Sequence, residues 1–354
     1  MKKLYLFLTS VLLLISVLLA GCSNSSKTSK SENTGKSDQK KNETVTLTIG
    51  GYSTIKQEFE TIFPLFQKEW KKKTGQTVEF KESYQGSGSQ ALNITNGFEA
   101  DIAALSLEGD IDKIVKAGLI THDWKSTPHN GIITNSIAAF GVREGNPKGI
   151  KDWSDLTKSG VAVVFPNPKT SGGARWDVNA IYGAGLKISE EKLGKQDPSQ
   201  AKSLLLKIYK NVKSLDKSGE ESMSTFDKGA GDVIITYENE LLDRIKSGNK
   251  YQEIIPKYTT SIENPAAVVD KYVDKHGTRK VAEAFLNFLW TPEAQKVFAE
   301  SGFRSVDSDV AKSYEDKFKQ PEGLFDTSYL GGWTKVGKDL YSDGGIWDQV
   351  VAGN

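Results

Sequence analysis

The sequence predicts an α/β protein of open, mostly parallel sheets flanked by helices on both faces and folded as two lobes. Three observations carry that expectation. Short β-branched runs alternate with helical stretches through the globular part of the chain. Loops rich in glycine and serine stand where strands hand over to helices. One extended apolar run, residues 132–142, contains no turn and suits a crossing between lobes, with a return near 257–269.

The N-terminus sets the compartment. Met1-Lys2-Lys3 precedes an apolar stretch from Leu4 to Ala20 and then Gly21-Cys22, the pattern of a secretory signal over residues 1–21. Leu19-Ala20-Gly21-Cys22 fits the bacterial lipobox, in which the cysteine is lipidated and becomes the mature N-terminus. Lipid at Cys22 would hold the protein at the outer face of the membrane without spanning it. A transmembrane helix is disfavoured, since the run is short for a span and ends at a cysteine. Cys22 is the only cysteine, which excludes disulfides, Cys-based metal sites and a catalytic thiol in the body. The lipidated cysteine and a flexible tether occupy 22–42, rich in Ser, Lys, Asn and Thr with no apolar period.

The remaining 312 residues suffice for two domains. They hold 39 basic and 43 acidic side chains, a net charge of −4. No basic field remains to attract nucleic acid. An anion bound by this body must be held by local dipoles.

Element by element, Val45–Ile49 reads as a strand ending in Gly50-Gly51. Ile55, Phe59, Ile62, Phe63, Phe66 and Trp70 then recur at helical spacing, with a kink expected at Pro64. Val78–Phe80 is a strand, followed by the loop Gln85–Gln90 and a helix; Ile102–Leu105 is the next strand. Strands follow at Val161–Phe165, Val233–Tyr237, Ile254–Ile255 and Ala266–Val269, with helices at Ala201–Val212 and Arg279–Leu289. Thr291-Pro292-Glu293 supplies a cap, a first-turn proline and an early acid for a helix through Glu300. The tail from Phe303, rich in glycine and aromatics, gives no clear element. The lobes expected are 43–137 plus 265–354, and 138–264.

The run Asn167-Pro168-Lys169-Thr170-Ser171-Gly172-Gly173-Ala174-Arg175-Trp176 carries the chemistry. It joins a strand to a helix, and the first turn of a helix exposes N–H groups with no partner in that helix. The helix dipole favours negative charge there, and glycines allow close approach to the backbone. Tyr52-Ser53-Thr54 and Gly86-Ser87-Gly88-Ser89 occupy equivalent positions after the first two strands. In doubly wound sheets, ligands sit beyond the carboxyl ends of strands, where such loops converge.

The 167–176 run resembles the signature of the periplasmic sulfate- and thiosulfate-binding proteins of ABC transporters. Gly86-Ser87-Gly88-Ser89-Gln90 is similar to that family's GSGKQ loop and Gly97-Phe98-Glu99-Ala100-Asp101 to its GIEAD segment. Gly145–Lys148, Asp152-Trp153, Gly231-Asp232-Val233, Glu238-Asn239-Glu240 and Gly331-Gly332-Trp333 also match. The resemblance implies a two-lobed periplasmic-binding-protein fold of type II. It also implies a desolvated oxyanion held by the amides of Ser53, Ser87, Gly172, Gly173 and Gly219 and by the hydroxyl of Ser171. Ser87 would add its own hydroxyl. The family's last donor is a tryptophan indole; here that position holds Tyr237. Ser53 stands where enteric members carry Asp. Glu220 stands where the family often has Arg, as a solvated loop residue or as an acceptor for a protonated oxyanion.

The function implied is capture of sulfate or thiosulfate by an extracytoplasmic, lipid-anchored, monomeric solute-binding protein. Delivery would be to an ABC permease and its ATPase complex, with no cofactor, metal or enzymatic chemistry. Phosphate, molybdate and a receptor without transport are the alternatives. A secreted serine hydrolase is disfavoured, because neither Ser87 nor Ser171 fits a G-x-S-x-G elbow. His122, His129 and His276 fall in no loop of the site. Neither H-E-x-x-H nor a phosphate-cradling GxxxxGK[ST] is present.

Overall fold

The computed structural model describes residues 44–353; the signal segment, Cys22 and the tether lie outside them. Strand β1 (Thr44–Tyr52) opens the chain, and a short 3₁₀ turn, Ser53–Ile55, leads into helix α1 (Lys56–Thr74). β2 (Thr77–Gln85), α2 (Ser87–Thr95), β3 (Ile102–Ala104) and α3 (Glu108–Lys116) follow, then the long β4 (Ile132–Arg143). The middle of the chain holds β5 (Val163–Val164), α4 (Gly172–Leu193), α5 (Pro198–Tyr209), β6 (Val212–Ser214), α6 (Gly219–Asp227), β7 (Val233–Tyr237) and α7 (Glu238–Lys246). β8 (Tyr251–Ile254) and the long β9 (Tyr258–Val268) precede α8 (Asp270–His276), α9 (Arg279–Phe288) and α10 (Pro292–Glu300). α11 (Ser308–Ser313), β10 (Gly323–Phe325), α12 (Gly332–Tyr341) and α13 (Ile346–Val351) complete the chain.

The strands form one mixed sheet in the order β2-β1-β3-β9-β4-β7-β5-β6, with β10 beside β9 and β8 beside β4. β4 pairs with β9 through Ile137 and with β7 and β8 from Ala138 onward. β9 pairs in turn with β10, β4 and β3 along its length. Every antiparallel pair among the described residues involves β4 or β9, while β1/β2, β1/β3, β5/β6 and β5/β7 are parallel. The two runs expected to cross between lobes are therefore neighbours in the sheet.

Element lengths differ from expectation where pairing decides them. β1 continues through Gly50 and Gly51 to Tyr52 because both glycines pair with β2 on one side and β3 on the other. β5 keeps only two residues, and Val212 leaves the expected helix to pair with Val163. α1 runs through Pro64, and its Phe63 and Phe66 join Phe80 of β2 and Phe285 of α9 in one aromatic cluster. Thr291 caps α10 by accepting from Ala294 N–H, as its sequence predicts.

The tail is tied down at two places. Trp347 packs against Phe165 and Tyr209, Trp333 against Trp176, and Tyr341 Oη donates to Arg175 O and Asn179 Oδ1. Ahead of it, Arg304 exchanges backbone bonds with Asn135 of β4 and grips Glu238 of α7 through Nε (2.6 Å) and Nη2 (2.8 Å). Burial pushes the Glu238 carboxyl up and the guanidinium opposes it. Arg304→Ala would leave a buried, unpaired acid. Urea unfolding at pH 7 is expected to show a loss of about 3–5 kcal/mol, much reduced in the Arg304→Ala/Glu238→Gln double variant. Equal losses in the two backgrounds would show that the pair is not the cause.

Candidate ligand-binding site

Strand ends and helix starts meet at one point. Ser53 follows β1, Gly86 and Ser87 follow β2, Ser106 follows β3, Ser171 precedes α4, Gly219 opens α6 and Tyr237 ends β7. Six of the seven site residues expected from the sequence, Ser53, Ser87, Ser171, Gly173, Gly219 and Tyr237, line one small pocket. Gly172, the seventh, is the first residue of α4 and packs at its edge. A Cβ there would lie 1.9 Å from Ser106 Oγ and 2.9 Å from Ser87 Cβ. A Cβ at Gly86 would likewise lie 2.7 Å from the carbonyls of Thr170 and Lys217. Only glycine lets these backbones approach so closely.

Three contacts hold the pocket shut. Ser89 N–H donates to Thr170 O (3.3 Å), Trp176 Nε1 to Ser106 O (2.6 Å) and Thr54 Oγ1 to Glu240 Oε1 (2.8 Å). Around the pocket, N–H groups of Ser53, Ser87, Gly172, Gly173 and Gly219 belong to first turns, where no carbonyl of the same helix can accept them. Ser171 caps α4: its Oγ accepts from Ala174 N–H at 3.3 Å, so its proton remains available to a ligand. Its backbone N–H is already bonded to Asn167 O. Ser87 behaves otherwise. Its hydroxyl donates to Asp110 Oδ2 (2.6 Å) and accepts from Ser106 N–H (3.0 Å), leaving only the amide for a ligand.

Tyr237 is 3% exposed, and its hydroxyl, beside the side chains of Ser106 and Asn264, completes no hydrogen bond among the described residues. Burial pushes the phenol well above its ordinary value, so it is a neutral donor. Glu220, by contrast, is exposed and bonds Arg244 (2.8 Å); it borders an outer groove, not the pocket. The histidines serve elsewhere: His122 binds Asp270 and His276 binds Asp101 and Glu99. No cluster of His, Cys, Asp and Glu among the described residues could hold a metal ion.

Two pocket acids escaped the sequence reading of the site. Glu240 accepts from Thr54 and, through a short bond, from Thr236. Asp177, one turn beyond Gly173 on the same face of α4, leaves its Oδ1 without a hydrogen bond among the described residues. Burial pushes both carboxyls up, Asp177 the more steeply, and Glu240 adds to the effect on Asp177. The helical spacing of Gly173 and Asp177 was the one available signal.

A mixed α/β body with helix starts gathered on a closed pocket is an architecture suited to a solute receptor. The chain matches the profile of the bacterial extracellular solute-binding protein family over residues 47–304. It is 47% identical to a sulfate-binding protein of Synechococcus elongatus over 308 residues, 86% of each chain. It is 40% identical to one of Escherichia coli over 303 residues, 84% of this chain and 91% of the relative. A thiosulfate-binding protein of Pseudomonas aeruginosa is 35% identical over 86% of this chain and 91% of its own. Among solved structures, the sulfate-binding protein SubI of Mycobacterium tuberculosis superposes with a TM-score of 0.76 at 34% identity, covering 85% of this chain and all of its own. The chain belongs to the sulfate- and thiosulfate-binding family of bacterial solute-binding proteins, and so stands among transport receptors rather than enzymes.

The outer groove beside the pocket is acidic, with Glu58, Glu60, Glu82, Glu220 and Asp243 against Lys56 and Arg244. Burial raises Glu58 from 4.5 to about 7. Between those two values the unfolded chain releases this proton before the folded one does. Glu58 therefore favours folding fully below pH 4.5, and that advantage is lost as pH rises to about 7. Glu58→Gln is expected to be the more stable protein at pH 8, by roughly 2–4 kcal/mol, with little difference at pH 4. Urea unfolding at both pH values checks this, and an equal difference at the two would contradict it.

Proposed function

We propose that this protein captures sulfate or thiosulfate outside the cell membrane and delivers it to an ABC permease driven by its ATPase. The observation that carries the reading is the convergence of first-turn amides from separate helices on one closed pocket. The ligand donors are the amides of Ser53, Ser87, Gly172, Gly173 and Gly219, the hydroxyl of Ser171 and the phenol of Tyr237. Neutral dipoles at several helix starts replace the hydration of a dianion without a buried counter-ion.

The working parts are two lobes, 43–137 with 265–354 and 138–264, hinged on β4 and β9; α12 packs beside α3 of the first and α13 against α5 of the second. In the open form one lobe captures the ion. Closure then forms the Ser89–Thr170, Trp176–Ser106 and Thr54–Glu240 bonds and adds the second set of donors. The permease reads the closed form. Signal removal and lipidation at Cys22 keep the protein, a monomer, at the membrane surface within reach of the transporter. No helix among the described residues is long and apolar enough to cross a membrane.

Titration calorimetry on the anion-free chain with sulfate, thiosulfate, phosphate and molybdate tests the reading. Sulfate or thiosulfate is expected to bind at micromolar concentration or tighter. Ser171→Ala removes one charge-assisted bond of about 1.5–3 kcal/mol, so affinity should drop roughly ten- to a hundred-fold. A preference for phosphate or molybdate would move the substrate, and no heat with any oxyanion would sink the transport assignment.

A further inference from the structure

Resting on the reading of the pocket as an oxyanion site, we propose that Asp177 binds the ligand as a neutral carboxylic acid, donating its O–H to a fully ionised oxyanion. The pocket supplies acids and no base. Its lining, among the described residues, holds no lysine, arginine or histidine, yet it holds two carboxyls. Arg175, two residues before Asp177 on α4, is engaged elsewhere: its Nε donates to Pro168 O and its guanidinium lies over the Tyr341 ring at 4.9 Å.

The two acids are not equivalent. Glu240 receives hydroxyl donors from Thr54 of the first turn and Thr236 of β7, which satisfy an ionised group. Asp177 is 1% exposed, and its Oδ1 has no hydrogen-bond partner among the described residues. Of the titratable groups around it, Glu240 of α7 pushes its carboxyl up further, while Tyr237 of β7 and Tyr341 of α12 are themselves raised by burial and also by its proximity; none of the three can carry positive charge. Where two carboxyls share a site of this kind, the proton resides on the one with an oxygen left without a donor. A dianion arriving beside Asp177 deepens that preference.

Once protonated, the carboxyl offers an O–H one helical turn from the Gly173 amide, on the same face of α4. Asp177 thus completes a ring of neutral donors, and its chemistry selects the ligand. An ionised Asp177 would accept from hydrogen phosphate and repel sulfate; a protonated one donates to sulfate and removes that repulsion.

Infrared difference spectroscopy of the full-length chain, with and without sodium sulfate at pH 8, reads the proton directly. The sulfate complex is expected to show a carboxylic-acid carbonyl band that Asp177→Asn lacks. Because the amide supplies an N–H in place of the O–H, Asp177→Asn should hold sulfate within about threefold of wild type, whereas Asp177→Ala should lose about tenfold. The wild-type spectrum needs no variant to fold. A sulfate complex with no protonated-acid band that Asp177→Asn removes overturns the inference while leaving sulfate binding intact. Tighter binding of phosphate than sulfate, abolished by Asp177→Asn, overturns it by making Asp177 an acceptor. No response of wild type to sulfate removes the oxyanion reading and the inference with it.

Discussion

An anion taken out of water needs its hydration replaced, and among the described residues the lining of this pocket holds no cation to do it. Everything about its construction follows from that shortage. First-turn N–H groups are left unspent by their own helices, so gathering several such amides requires several helices to begin at one place. Parallel pairing on either side of β4 and β9 brings the carboxyl ends of β1, β2, β5 and β7 toward a common rim. Gly172 and Gly86 let the backbones touch there, where any side chain would hold them apart.

The same constraint explains which polar groups are satisfied and which are not. Ser87 spends its hydroxyl on Asp110 and so fixes the start of α2 against β3. Ser171 spends only its acceptor side on its own helix. Tyr237 Oη and Asp177 Oδ1 stay unpartnered although both residues are buried, an expensive state that a chain retains where a ligand is to be met. Charge beyond the pocket is kept apart from it: Glu220 is neutralised by Arg244, and Arg175 is engaged by Pro168 and Tyr341.

Much of this was legible in the sequence because the site uses local signals. A glycine-serine turn between a strand and a helix is written in adjacent residues, as at 86–89 and 167–176. Caps such as Thr291 are equally local. What depended on distant partners was not legible. β1 and β2 are longer than their apolar cores because their pairing with each other extends them, and β5 is cut to two residues. The tail's packing on α4 and α5 rests on aromatic contacts such as Trp333 with Trp176. Asp177 looks like an ordinary helix residue until α4, β7 and α7 close around it. The hydroxyl of Ser87, expected to face the ligand, is diverted by an aspartate 23 residues away.

The central claim is that neutral donors alone hold the ion. A crystal structure of the sulfate complex tests it most directly. The expected result places sulfate against the amides of Ser53, Ser87, Gly172, Gly173 and Gly219, with Ser171 Oγ, Tyr237 Oη and the protonated Asp177 carboxyl completing the shell and no lysine or arginine within about 4 Å. Sulfate bound elsewhere, or held in this pocket by a lysine or arginine brought in on binding, would contradict the account.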